Sequence, residues 1–175
     1  MDLKSKIILI SGPTASGKSK FAVKLAKKIK GEIINADSMQ VYNDFCILTS
    51  RPNAKDTTYI KHHLYGFHSV KKKFSTGQWL NIVINKINQQ WSAGKTPIIV
   101  GGTGLYFKAL IDGLAKIPAI PKNISSTVRT MHKKIGQKNF YEKLIKFDPK
   151  VKKFISQSDS QRSIRAYEVK KFTNK

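Results

Sequence analysis

The chain has 175 residues, 40% of them hydrophobic, and carries 33 Lys and Arg against 10 Asp and Glu, a formal charge of +23. That size allows one sizeable core with a small appended unit, no apolar run approaches the roughly 20 residues that span a bilayer, and no signal-peptide core opens the chain. The lone Cys46 excludes an intrachain disulfide and a cysteine-rich zinc site, so a reducing, cytoplasmic setting is expected.

The elements read in order as follows. Ile7 to Ile10 is a short apolar run of buried-strand type, and Gly12-Pro13-Thr14-Ala15-Ser16-Gly17-Lys18-Ser19 follows it directly. Phe21, Ala22, Leu25, Ala26 and Ile29 then recur at helical spacing. Glu32 to Ala36 reads as a second strand ending in Asp37-Ser38, and residues 43–76 read as a long irregular active-site or lid region. Leu80, Val83, Ile84, Ile87 and Trp91 predict one apolar face of a helix over 77–93. Pro97 to Val100 is a third buried strand, leading into Gly101-Gly102-Thr103-Gly104 and a helix from about Leu105. Alternating strand and helix signals over the first 117 residues predict an α/β fold: a P-loop NTPase-like parallel sheet flanked by helices.

The character changes at Pro118 and Pro121, which mark a boundary. From 118 to 175 only helical segments are predicted, over 123–135, 137–147, 150–156 and 160–172, with start signals at Asp148-Pro149 and Ser158-Asp159. From Lys150 onward eight basic residues face two acidic ones, Asp159 and Glu168. The overall charge points to a polyanionic partner, of which nucleic acid is the usual one; a base-composition bias rich in Lys, Asn and Ile accounts for much of it equally well.

Residues 12–19 fit G-x-x-x-x-G-K-[ST] in the strand–loop–helix setting the motif requires. Backbone N–H groups of such a turn, together with the helix dipole, form a cradle for phosphates; Lys18 would reach a distal phosphate and the Ser19 hydroxyl would ligate Mg²⁺. Ligands of open α/β sheets lie beyond the carboxyl ends of the strands, which puts Asp37 and Thr103 beside that cradle. Asp37 is a candidate base, with metal ligation and a turn or cap role as alternatives. Thr103 is a candidate donor to a leaving diphosphate and equally a helix N-cap.

The loop at 12–19, Ile34 to Tyr42, His62-His63-Leu64, Gly101 to Tyr106 and Asp159 to Val169 together resemble the tRNA dimethylallyltransferase family, in order and in approximate spacing. The resemblance implies transfer of a dimethylallyl group from its diphosphate to the exocyclic amine of the adenine next to a tRNA anticodon. It implies that Thr14 to Ser19 hold the diphosphate with Mg²⁺ at Ser19, that Asp37 is the base, and that Thr103 touches the substrate. It further implies that Asp37, Ser38, Met39 and Gln40, with Gln161, Arg162, Ser163, Ile164 and Arg165, contact tRNA, and that residues 118–175 begin a helical tRNA-binding insertion. Met39, Val41 and Tyr42 are candidate apolar walls for the prenyl chain or the flipped base, and ordinary core residues otherwise. Family members run to roughly twice this length, so the chain is expected to be a truncated member, monomeric, and lacking the return to the core sheet. A small-molecule or nucleotide kinase and a non-catalytic RNA-binding remnant are the rival readings.

Overall fold

The computed structural model describes residues 5–52 and 57–174. The chain divides into two compact units, one ending at Leu114 and the other beginning at Ala115. The first is built on four strands, β1 (Ile8–Ser11), β2 (Gly31–Asn35), β3 (His62–His63) and β4 (Thr96–Gly101), all parallel, in the order β1-β4-β2-β3. Among the described residues the longer helices of this unit are α1 (Lys18–Ile29), α2 (Thr76–Ser92) and α3 (Gly104–Asp112).

β4 and β2 are the inner strands, and their residues are buried on both faces except Glu32. Alternation of side chains along a strand then assigns each residue to one helix layer. Ile33, Ile98 and Val100 pack with Ala22 and Ala26 of α1. Ile34, Ala36 and Ile99 pack with Trp79, Val83 and Ile87 of α2 and with Tyr106 and Phe107 of α3. Trp79 is the largest fully buried side chain, and its ring stacks on Tyr106 at 4.2 Å between centroids.

Two expectations change here. The apolar face of α2 is centred on Trp79, Val83 and Ile87, whereas Ile84 is 43% exposed. Helix α2 starts at a capping box, Ser75 with Gln78, and Trp79 in its first turn packs against the sheet. The region 43–76 also contains more order than its sequence suggests. β3 pairs with β2, and the Glu32 carboxylate meets His63 Nε2 at 2.7 Å across that pair.

The second unit is helical: α4 (Lys122–Phe147), a 3₁₀ turn (Pro149–Lys153) and α5 (Ser160–Thr173). Gly136, at φ 75°, interrupts α4 where the sequence separates two helical segments. Asp148 and Asp159 cap the following turn and helix by accepting from the backbone N–H of Lys150 and Arg162. Val128, Phe140 and Ile164 form its core. Among the described residues no helix is long and apolar enough to cross a membrane.

Candidate active site

The loop after β1 takes its shape from two left-handed residues, Ala15 at φ 64° and Gly17 at φ 79°. Left-handed backbone among right-handed neighbours turns successive N–H groups to one side, the geometry of an anion nest. Gly17 is also the N-cap of α1, whose first bond runs from the Phe21 N–H to the Gly17 carbonyl at 3.0 Å. The Lys18 ammonium lies over its own loop, donating to the Pro13 carbonyl at 2.8 Å.

Facing this loop is the turn that follows β2. Asn35 is fully buried, and its side chain accepts from the Asp37 N–H at 2.9 Å and donates to the carbonyls of Asp37 and Leu64 at 3.0 and 3.1 Å. Its own carbonyl accepts from Trp79 Nε1 at 3.0 Å. The chain therefore leaves the core in a fixed direction at Asp37. The half-buried Asp37 carboxylate accepts from the Met39 N–H at 2.9 Å, and its negative charge reaches two tyrosines. Burial pushes Tyr106 up to about 12, with Tyr42 and Asp37 contributing. Burial pushes Tyr65 higher still, again with a contribution from Asp37.

The end of β4 is locked to the same turn. The Ala36 N–H donates to the Val100 carbonyl at 2.7 Å and the Thr103 N–H to the Ala36 carbonyl at 3.2 Å. A Cβ on Gly101 would lie 2.1 Å from the Ala36 backbone, so only glycine allows this approach. Thr103 occupies the N-cap position of α3 without a side-chain cap bond. Its hydroxyl accepts from the Ser38 N–H at 2.9 Å and donates to the Ser38 hydroxyl at 3.2 Å. Here the hydroxyl proton of Thr103, the candidate donor to a leaving diphosphate, is engaged by Ser38.

Between the loop and the turn lies a cavity of about 650 Å³. Thr14, Ala15, Ser16, Gly17, Lys18 and Ser19 form one wall, with Asp37, Met39 and Gln40 beside them. Phe45, Leu48, Thr49 and Ser50 complete the lining. Gly12, Pro13, Ser38 and Thr103 are not on the lining. The 45–50 segment is held to the turn by Gln40, whose Nε2 donates to the Thr49 carbonyl at 2.7 Å, and by Arg51, which donates to the Tyr42 carbonyl at 3.2 Å. Of the candidate apolar walls, Met39 lines the cavity, whereas Val41 is buried in the core and Tyr42 packs on Phe45 and His68. Sequence reasoning missed Phe45 and Leu48 as lining residues and Asn35 as the residue that aims Asp37.

The donor set bears on metal binding. Ser19 and Asp37 both line the cavity, and no group of three His, Cys, Asp or Glu among the described residues is placed to hold a metal ion. That set fits a Mg²⁺ ion carried mainly by phosphate oxygens and water, with Ser19 as a protein ligand, and does not fit an all-protein cage.

The residues expected to meet RNA in the helical unit divide by burial. Gln161, Arg162 and Arg165 are exposed, while Ser163 and Ile164 are buried. Ser163 donates to the Asp159 carbonyl and accepts from Gln137 Nε2, and Ile164 belongs to the core. Within the expected RNA-contacting stretch, the side chains of Ser163 and Ile164 therefore serve the packing of α5 on α4.

Parallel strands, a glycine-rich loop between the first of them and its helix, and a carboxylate lining the same cavity define a P-loop-like α/β fold. The IPP transferase family profile matches residues 40–175, and the chain belongs to that family. A tRNA dimethylallyltransferase of Pelagibacter ubique is 64% identical over 99% of this chain and 56% of its own length. One from Rickettsia bellii is 46% identical over 95% of the chain and 53% of its own length. Among solved structures, a eukaryotic dimethylallyltransferase acting on tRNA matches at a TM-score of 0.82 with 29% identity, covering 97% of this chain and 42% of that one. The tRNA isopentenylpyrophosphate transferase of Bacillus halodurans matches at 0.63 with 35% identity, over 97% and 56%. The chain thus spans about half the length of the relatives it matches.

Proposed function

We propose that the chain acts in tRNA modification, transferring a dimethylallyl group from dimethylallyl diphosphate to the N6 amine of the adenine beside the anticodon. The observation that carries this reading is the mixed lining of the cavity, where the Thr14–Ser19 loop, the carboxylate of Asp37 and the apolar side chains of Met39, Phe45 and Leu48 share one space. A prenyl diphosphate has the matching polarity, an anionic head and an apolar tail. The relatives' names and the eukaryotic neighbour that acts on tRNA support tRNA as the acceptor.

In this reading the diphosphate is held by the amides of Thr14 to Ser19, and Lys18 swings from Pro13 to a phosphate oxygen. The target adenine leaves its stack to enter the site, as base-modifying enzymes require. Its N6 lone pair attacks the allylic C1 of the tail. The C1–O bond breaks and its electron pair departs on the diphosphate, whose growing charge the loop amides and Lys18 stabilise. Mg²⁺ bound at Ser19 would supply further charge neutralisation on the leaving diphosphate. The Asp37 carboxylate accepts the proton released from N6, and Asn35 and Thr103 keep it in position. In this reading the protein acts as a monomer in the cytoplasm, needing whatever supplies the remainder of the family's length, and residues 118–175 contribute RNA contacts through Gln161, Arg162 and Arg165.

The test uses isotope-labelled dimethylallyl diphosphate and an anticodon stem-loop RNA. Label should pass to the adenine, and calorimetry should favour the prenyl diphosphate over ATP. Asp37→Ala should abolish transfer while diphosphate binding persists. Retained transfer removes Asp37 from the chemistry, and preferential ATP binding removes the prenyl-transfer reading altogether.

A further inference from the structure

Asp37 follows the carboxyl end of β2, and at the other end of the parallel strands lies a second cavity, of about 370 Å³, that the proposed reaction leaves unused. Four lysines line it. Lys27 and Lys30 close α1, Lys61 directly precedes β3 and Lys95 directly precedes β4. The one carboxylate on the lining, Glu32, is already engaged by His63 at 2.7 Å. Among the described residues none of the four lysines has an ion pair, and Lys95 is half-buried without one. The dipole of α1 accounts for lysines at its C-terminal end but not for Lys61. Lys30 also stands in left-handed backbone, φ 53°, where glycine is the usual residue. Like charges gathered round one space repel until an anion joins them. Tyr59, on the same lining, is 78% exposed, and the Lys27 ammonium sits 5.0 Å from the centre of its ring, which cation–π attraction holds at the cavity.

We propose that this cavity takes an unpaired nucleotide of an RNA chain, with its base on Tyr59 and its flanking phosphates on Lys27, Lys30, Lys61 and Lys95. An exposed ring beside a basic groove is the arrangement that binds single strands: bases stack on the aromatic face while the backbone runs over the cations. The length of β2, five residues or about 17 Å, separates this site from Asp37, so it engages a part of the RNA other than the nucleotide being modified. The assignment of RNA as ligand rests on the prenyl-transfer reading above; the geometry of the site does not.

The experiment measures binding of labelled single-stranded hexauridylate to the full chain by fluorescence anisotropy over a range of salt, alongside label transfer to the anticodon stem-loop. Hexauridylate lacks the adenine that the Asp37 cavity takes. Lys61→Gln should weaken binding about fivefold at low salt and lower the salt slope by about 0.7, one lost phosphate contact on a single strand. Tyr59→Leu should weaken binding about tenfold while Tyr59→Phe binds as wild type, a difference that net charge cannot produce. Lys86→Gln on α2, outside the cavity, removes the same charge and should change affinity by less than about twofold. Tyr59 and Lys61 are exposed, so the fold should persist in each variant. Equal affinities of Tyr59→Leu and Tyr59→Phe, or a loss in Lys86→Gln matching that in Lys61→Gln, overturns the site. Uridine monophosphate that competes as well as the hexamer overturns RNA as the ligand. A wild-type chain that binds the hexamer with the expected Tyr59 dependence but transfers no label overturns prenyl transfer and leaves the site standing. Label transfer together with hexamer binding that ignores Tyr59 and Lys61 overturns the site alone.

Discussion

Replacing Asn35 tests whether the candidate base is aimed from within the core. The side chain makes three hydrogen bonds, one from the Asp37 N–H and two to the carbonyls of Asp37 and Leu64, and it is fully buried. At about 1 kcal/mol net per bond, with some recovery by water at the partly exposed ends, Asn35→Ala should cost about 2–3 kcal/mol. For a unit of this size that corresponds to a fall in Tm of roughly 10 °C, measurable by circular dichroism. Asn35→Asp should be worse at neutral pH, because a carboxylate would face two carbonyl oxygens. Its folded-state pKa would be raised, so the protonated form supports the fold and stability is lost as pH rises; the deficit should shrink on acidification as an O–H donor returns. Transfer should fall with Asn35→Ala while diphosphate affinity holds, since the phosphate loop makes no bond to this side chain. A Tm within about 2 °C of wild type, or undiminished transfer, would refute the claim that Asn35 orients Asp37.

Two further outcomes follow from the same region. Gly101→Ala would drive a methyl into the Ala36 backbone at 2.1 Å and should abolish soluble expression or lower Tm severely, whereas Gly104→Ala, which meets open space, should be tolerated; equal behaviour of the two, judged by yield and melting, would count against the close approach. Tyr106 is raised from its ordinary value of 10.0 to about 12, mainly by burial, so it contributes stability that is present below pH 10 and lost as pH rises towards 12. Denaturant melts across that window should show a smaller alkaline loss in Tyr106→Phe than in wild type, and identical losses would mean the phenol does not drive it.

The legible parts of this molecule were those in which local chemistry fixes the backbone. The loop at 12–19 could be read because glycine, lysine and serine are required at set positions, and Asp37 because it follows an apolar run. The break at Gly136 was visible as a glycine between two helical patterns. Less was available for β3, which is only His62-His63 and is a strand by virtue of its pairing with β2. Nothing in their spacing marks Phe45 and Leu48 as cavity walls; Gln40 and Arg51, by bonding to carbonyls on either side of them, bring that segment over the loop. Ile84 was misassigned because the helical period alone leaves the rotation of α2 open by one position, and the burial of Trp79 settles it. Ser163 and Ile164 lie in a segment with a functional signature yet serve its packing.

The tight seam between Ala36 and Gly101 stiffens the backbone on the Asp37 side of the cavity. Asp37, Ser38 and Thr103 are welded into one block by backbone and hydroxyl bonds, so none of them can shift without the others. The opposite rim, from Phe45 to Ser50, hangs from two long side chains. Substitutions along that rim would therefore reshape the lining of the cavity without touching the bonds that fix the Asp37 side.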